Sequence, residues 1–266
     1  MKKKGKLSTI VLFVVGAGCM IAALAILVTM LWDRRQANET FETLKEDYCN
    51  VTSDEIVSET EEANSNFWYE EVEIDFAGIK EINEDVIGWI RIDGIETIDY
   101  PILYSGDDVA YLRTDIYGKS STAGCIFLEG ANNPDFEDYH SIIYGHNMKN
   151  LSMFGNLKKY KEEGFYEEHS YFTIYTEEIA YRYQIFAYRD VPETDSVYTI
   201  GFIPDEMYQD FLNEMVRKSY IDTGVSVSKE DKIITLSTCS TTGKRFIVQA
   251  VRVDEKAYQG ERKEKQ

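Results

Sequence analysis

The sequence predicts a mostly β domain, a closed or nearly closed β-barrel with few helices, carried behind one N-terminal apolar helix. Three observations predict it. Short runs rich in β-branched and aromatic residues recur between turn residues from Val72 to Val253. The 19 Tyr and 13 Phe favour pleated structure. One stretch, Ser8 to Trp32, runs 25 residues without a charge.

That stretch comes first. As a helix it would span about 37 Å, enough for the ~30 Å hydrocarbon core of a bilayer with some tilt. Residues 1–7 are a basic tail, Met1-Lys-Lys-Lys-Gly-Lys6 followed by Leu7. Met30-Leu-Trp-Asp33 is a poor cleavage site, so residues 8–32 read as a transmembrane helix and not as a removed signal peptide. Lysines before the span outweigh Arg34-Arg35 behind it. The expected arrangement is a single pass through the cell membrane, with the N-terminus cytoplasmic and the rest outside. Residues 33–71 are polar and acidic and read as an extracellular stalk, with a short helix over Glu39 to Tyr48.

From residue 72 the pattern becomes that of a folded domain, ending at 253. Phe76, Ile79 and Ile82 share one face of a short helix from Asp75 to Asn83. Strands are expected at Gly88 to Ile92, Thr97 to Leu103, Gly124 to Leu128 and Ser141 to Tyr144, with a helical turn at Asp107 to Leu112. Phe154, Leu157 and Tyr160 give Met153 to Tyr160 a helical face. Tyr171 to Tyr175 and Ile179 to Tyr188 alternate as a hairpin. Pro204 to Tyr220 reads as a helix with Phe211, Leu212 and Met215 on one side. Two last strands flank Ser240-Thr-Thr-Gly243, and residues 254–266 form a charged tail.

The net charge is -19, unevenly placed. Residues 1–35 hold six basic residues and one acid, leaving 22 basic against 46 acidic residues in the remainder. Phosphates would be repelled, so nucleic acid is not an expected partner. The four cysteines, Cys19, Cys49, Cys125 and Cys239, sit in settings too different for a disulfide framework. No spacing suggests a metal site, and no cofactor is expected. Cys125 reads as a buried thiol and Cys49 as part of a polar, mobile segment, with a Cys49–Cys49 link between two chains left open.

The chemistry concentrates at the end of the chain. Lys232-Ile-Ile-Thr-Leu-Ser-Thr-Cys239 is a strand that stops on a cysteine; Lys244-Arg245 opens the next. If the two pair as a hairpin, thiol and guanidinium lie side by side at one rim, and the fixed charge biases the thiol toward thiolate. A base is also needed. Of the three histidines, His146 ends another apolar run, Ser141-Ile-Ile-Tyr-Gly-His-Asn-Met148, whereas His140 and His169 read as structural or solvated. Cys239, His146 and Arg245 would then supply nucleophile, base and oxyanion donor. Arg252 lies seven residues beyond Arg245, too far along to reach the cysteine rim, and Lys244 lacks a planar fork. Read singly, Cys239 fits a core thiol and His146 a satisfied histidine after a strand.

Thr235-Leu-Ser-Thr-Cys239 followed by Arg245, with Tyr144-Gly-His-Asn-Met148 upstream, resembles a sortase, a membrane-anchored cysteine transpeptidase of Gram-positive bacteria. Ile82-Asn-Glu-Asp-Val-Ile-Gly-Trp-Ile90, Ile98-Asp-Tyr-Pro101, Gly124-Cys-Ile-Phe127 and Arg217-Lys-Ser219 resemble class B members in particular, over roughly residues 72 to 253. The resemblance implies an eight-stranded barrel, with the helix at 204–220 as a class B addition. It implies cleavage of a C-terminal sorting motif after Thr, a thioacyl-enzyme, and transfer to a peptidoglycan precursor or cross-bridge amine. The partners implied are sorting-motif surface proteins, and the implied substrate contacts are Leu112, Tyr144, Ser237 and Ser240. Two departures stand out: five residues between Cys239 and Arg245, and Asp107-Asp108 where the family often has Asp-Asn. A pilin-polymerising sortase, a surface cysteine protease that only hydrolyses, and an inert tethered binding module are the alternatives.

Overall fold

The computed structural model describes residues 3–51, 72–239 and 243–257; for residues 3–11, 13, 30, 33, 34, 37, 38, 51 and 239 this covers the backbone alone. In chain order the elements are α1 (Lys3–Tyr48), β1 (Cys49–Val51), β2 (Val72–Ile74), α2 (Phe76–Ile82), β3 (Val86–Ile92), β4 (Ile95–Leu103), β5 (Ile126–Leu128), β6 (His140–Tyr144), α3 (Phe165–Glu168), β7 (Tyr171–Tyr175), β8 (Ile179–Pro192), α4 (Glu206–Lys218), β9 (Ile233–Cys239) and β10 (Lys244–Ala257). Two 3₁₀ segments, Gly155–Lys161 and Ser196–Tyr198, lie between them.

Eight strands close into one barrel, as the resemblance implies, and their order is β10-β8-β7-β3-β4-β5-β6-β9. Closure removes the unpaired edges that an open sheet of this kind would expose. Two of the pairings are parallel, β4 with β5 and β6 with β9. The second matters most here: it sends the C-terminal ends of β6 and β9 to the same rim. Trp89, Ile90, Ile102, Ile126, Ile143, Phe172, Ile174, Leu236 and Phe246 are among the buried side chains of the main core. A second cluster forms where α4 lays Phe211, Leu212 and Met215 against Phe186, Ile247 and Val251. α4 starts at Glu206 because the Asp205 carboxylate accepts from the Tyr208 amide at 3.0 Å, leaving Pro204 before the cap.

The N-terminal region is tied to the barrel more closely than a stalk would be. α1 runs without a break to Tyr48, and Phe41 and Leu44 are buried. β1 pairs with β2, with Cys49 opposite Ile74. Cys49, expected in a mobile polar segment, is therefore buried, and burial pushes its thiol up to about 11. Such a thiol has no open path to a second chain. Among the described residues no helix is long and apolar enough to cross a membrane, so the span over residues 8–32 rests on the sequence. Residues 52–71 of the expected stalk lie outside the described residues.

Three local expectations are corrected. The helix at Met153 to Tyr160 is a 3₁₀ segment that begins at Gly155, because Met153 itself sits at φ 53 and closes a tight loop. His140, placed in a loop by sequence, is the first residue of β6 and fully buried. The charged tail begins later than residue 254: β10 continues to Ala257, with Asp254 to Ala257 paired against Arg182 to Ile179. Residues 258–266 lie outside the described residues.

Candidate active site

Cys239 is the last residue of β9 and Arg245 the second of β10, and the antiparallel register sets the two directly opposite each other. Residues so placed sit ~4.5–5.5 Å apart at Cα. The hairpin read from the sequence is thus formed. The Cys239 side chain and Ser240 lie outside the described side chains. On the other flank of Arg245, β8 contributes Val191 opposite it, and Glu193 just beyond places a carboxylate 3.2 Å from the guanidinium. Sequence reasoning missed Glu193, which lies 52 residues away and carries no motif.

His146 arrives from β6. That strand pairs in parallel with β9 as far as Tyr144 and Ser237, and the Gly145 amide donates to the Ser237 carbonyl at 3.1 Å, extending the pairing by one step. The next residue is His146, so β6 and β9 deliver the histidine and the cysteine to one rim. Gly145 is required there: a Cβ on it would stand 2.5 Å from Ile126 Cδ1 and 2.6 Å from Phe154 Cδ2. The loop after His146 folds back at once. Asn147 bridges to Met153, and the Phe154 amide donates to the His146 carbonyl at 3.0 Å.

The His146 ring is half-buried, and its Nε2 lies 2.8 Å from the Leu112 carbonyl. A carbonyl only accepts, so Nε2 carries the proton and Nδ1 keeps its lone pair in the neutral ring. Burial lowers the basicity of this imidazole, and the nearby Arg113 and Arg245 charges lower it further, against the Leu112 hydrogen bond. In the neutral ring Nδ1 is therefore the basic nitrogen. Leu112, implied by the resemblance as a substrate contact, also fixes this tautomer through its backbone.

A cleft of about 230 Å³ joins these groups, lined by Asp108, Leu112, Phe127, Tyr144, Gly145, His146, Ser237, Thr238 and Arg245. The structure thus brings Leu112, Tyr144, His146, Ser237 and Arg245 together, as the sequence groups them. Tyr144 donates to Glu129 at 2.6 Å. Burial raises the Glu129 carboxyl, and the adjacent Asp108 adds to the rise. Asp108 accepts from the Gly130 amide at 2.7 Å, so this acid ties its loop to the turn that follows β5. Ser237 is buried and its hydroxyl lies 3.0 Å from that of Tyr198, whose ring stacks on Tyr144. Tyr198 was missed as well; its neighbours in sequence give no periodic or motif signal.

The other candidates sort away from this site. His140 Nδ1 donates to the Thr199 carbonyl at 2.7 Å and Nε2 accepts from Thr235 at 2.8 Å, so the ring is a satisfied core group. His169 lies elsewhere, its Nδ1 donating to the Asp93 carbonyl at 2.9 Å. Arg252 lies over the Tyr181 ring and pairs with Glu137, at the far end of β10 from the rim. Among the described residues no cluster of three or more His, Cys, Asp or Glu is placed to hold a metal ion.

Comparison with known proteins agrees with this geometry. The sortase domain model matches residues 90–253. Sortase B of Listeria monocytogenes is 38% identical over 172 residues, which is 64% of this chain and 69% of that protein. The structure of a Staphylococcus aureus sortase B-substrate complex superposes with a TM-score of 0.64 at 33% identity, covering 67% of this chain and 84% of that one. Sortase B from Bacillus anthracis, solved in complex with AAEK1, gives a TM-score of 0.71 at 28% identity, covering 85% of this chain and 100% of that one. An eight-stranded barrel that presents a cysteine, a histidine and an arginine at one rim, in a chain matched by these proteins over most of its barrel, belongs to the sortase family of cysteine transpeptidases.

Proposed function

We propose that this chain anchors secreted proteins to the cell wall by a class B-like transpeptidation, with Cys239 as nucleophile, His146 as proton carrier and Arg245 as oxyanion donor. The observation that carries the reading is the pairing of Arg245 opposite Cys239 on the rim where β6 delivers His146. The Cys239 thiol gives its proton to His146 Nδ1 as sulfur attacks the carbonyl carbon of the Thr-X bond in a C-terminal sorting motif. Arg245 and backbone amides near Ser240 hold the developing oxyanion. Collapse breaks the C–N bond, and the leaving amine takes the proton from Nδ1. An incoming peptidoglycan amine then gives a proton to Nδ1 and attacks the thioester, and the sulfur leaves and recovers its proton. The sorting peptide lies along Leu112, Tyr144 and Ser237, with Ser240 at its scissile end.

The chain works from the outer face of the cell membrane, held by residues 8–32. Support comes from the uncharged run Ser8–Trp32 lying within the unbroken α1, and from the exposure of Leu12, Val14, Met20, Leu24, Leu27 and Leu31 on several sides of that helix. Replacing Leu24 with Arg adds about 2.5–3.5 kcal/mol to insertion. A chain that still sediments wholly with membranes after Leu24→Arg and Leu27→Arg together refutes the anchor.

Mass spectrometry of the chain in detergent, with a small library of sorting-motif peptides and an amine acceptor, tests the chemistry. A thioacyl adduct on Cys239 that resolves to an amide is expected. Hydrolysis alone, with amine present, would reassign the chain as a protease; acylation at another residue would remove Cys239 from the role.

A further inference from the structure

β4 lies between the N-terminal helix and the loop that carries His146, and it is moored to both. On one side, the Phe41 ring meets the Tyr100 ring edge-on at 5.2 Å, the Lys45 ammonium lies 3.1 Å from the Asp99 carboxylate, and the same ammonium donates to the Glu96 carbonyl at 3.4 Å. Asp99 is buried and also accepts from the Trp89 indole at 2.6 Å, so this end of β4 is rigid. On the other side, the Tyr100 hydroxyl accepts from the Met153 amide at 3.0 Å, and Thr97 bonds the Asn156 amide group. Met153 holds a positive φ of 53 and bridges back to Asn147, and the next amide, that of Phe154, donates to His146. A non-glycine residue keeps that conformation only where its surroundings over-determine it. The Tyr100 hydroxyl is one of those surroundings, since it pairs a buried amide that would otherwise be left unsatisfied.

We propose that Tyr100 is a positioning residue for His146 and that residues 41–49, docked on β4, are part of the support of the active site and not only a spacer from the membrane. By sequence Tyr100 falls in a strand and residues 41–49 in the stalk, and neither carries a site assignment. The inference rests on the assignment of His146 as proton carrier. Tyr100 acts through the loop and touches no substrate. Its hydroxyl fixes Met153, Met153 fixes the turn, and the turn sets how far Nδ1 stands from the β9 rim. Displacements of this kind cost catalysis roughly ten- to a hundredfold.

The test uses the full chain in detergent with Tyr100→Phe, which deletes the hydroxyl and keeps the ring against Phe41, and Phe41→Ala, which deletes the other face of the contact. For Tyr100→Phe, kcat falls roughly ten- to a hundredfold with KM for the sorting peptide within about twofold. The His146 imidazole, followed by NMR of labelled histidine, titrates closer to its ordinary value as the ring loosens. Phe41→Ala moves both readings the same way, by less. Unchanged kcat and titration in both variants overturn the proposal. So does a fall in melting temperature with both readings unmoved, and so does a fall in kcat without a shift of the imidazole. If the parent chain transfers no peptide at all, the catalytic assignment fails separately, and the imidazole titration, which needs no turnover, still decides whether Tyr100 and Phe41 govern His146.

Discussion

Arg245 and Cys239 stand opposite one another as the last register pair of β9 and β10, and Glu193 holds the guanidinium from its far side at 3.2 Å. An arginine so fixed offers two parallel N–H groups to one developing oxyanion, which a lysine cannot. Arg245→Lys therefore lowers kcat by about 10²–10³ while retaining the charge. Cys239→Ala abolishes the thioacyl adduct and leaves the melting temperature near that of the parent. Rates measured by peptide cleavage, together with intact-mass spectra, check both; near-normal turnover in Arg245→Lys would mean that another group serves the oxyanion.

Gly145 has no room for a side chain. Gly145→Ala pushes Phe154 away, and with it the amide that donates to the His146 carbonyl. Overpacking of this kind costs about 1–3 kcal/mol. The expected result is a lower melting temperature and a larger proportional loss in kcat than in stability. Equal retention of activity at the wild-type level would show that the loop can move without carrying His146 with it.

Ser237 is held by Tyr198, and Tyr198 is held by the Ser196–Tyr198 turn, whose next carbonyl, on Thr199, accepts from His140. Tyr198→Phe frees the Ser237 hydroxyl and removes one neutral hydrogen bond, worth about 0.5–1.5 kcal/mol. KM for the sorting peptide rises about two- to tenfold, with kcat nearly unchanged. A fall in kcat at constant KM would place Tyr198 in the chemical step instead.

His140 makes the fold sensitive to acid. Burial brings its imidazole down to about 4, against the opposing pull of the hydrogen bond to the Thr199 carbonyl. Unfolded, the ring returns to about 6.5. Between those values the unfolded chain binds a proton that the folded chain refuses, so stability falls as pH drops from about 6.5 toward 4. The loss from this group reaches on the order of 3 kcal/mol. Urea unfolding at a series of pH values, compared with a His140→Gln chain, isolates it; identical slopes in the two chains would remove His140 as the cause.

Much of the site was legible because its residues end strands. Ile233 to Cys239 and Lys244 onward are apolar runs broken by a turn, and a turn of that length dictates a hairpin, so opposition of Cys239 and Arg245 follows locally. His146 was legible for the same reason. What stayed hidden depends on partners distant in sequence. Cys49 looked mobile because its covering strand, Val72–Ile74, lies beyond residues that read as polar stalk. Glu193 takes its role only from Arg245, 52 residues on, and Tyr198 only from Ser237, 39 residues on. Met153 to Tyr160 had a helical apolar face, but the loop closure at Met153 and the hydrogen bond its amide donates to the Tyr100 hydroxyl decided the backbone instead.

The parallel pairing of β6 with β9 has a consequence for how this enzyme can diversify. Parallel neighbours share no connecting hairpin, so the histidine and the cysteine belong to two separately encoded loops, one after Tyr144 and one after Cys239. Either loop can lengthen, shorten or change composition without altering the register that keeps both residues at the rim. The two loops are thereby uncoupled from the barrel and from each other, and a lineage can reshape one while the other stays fixed.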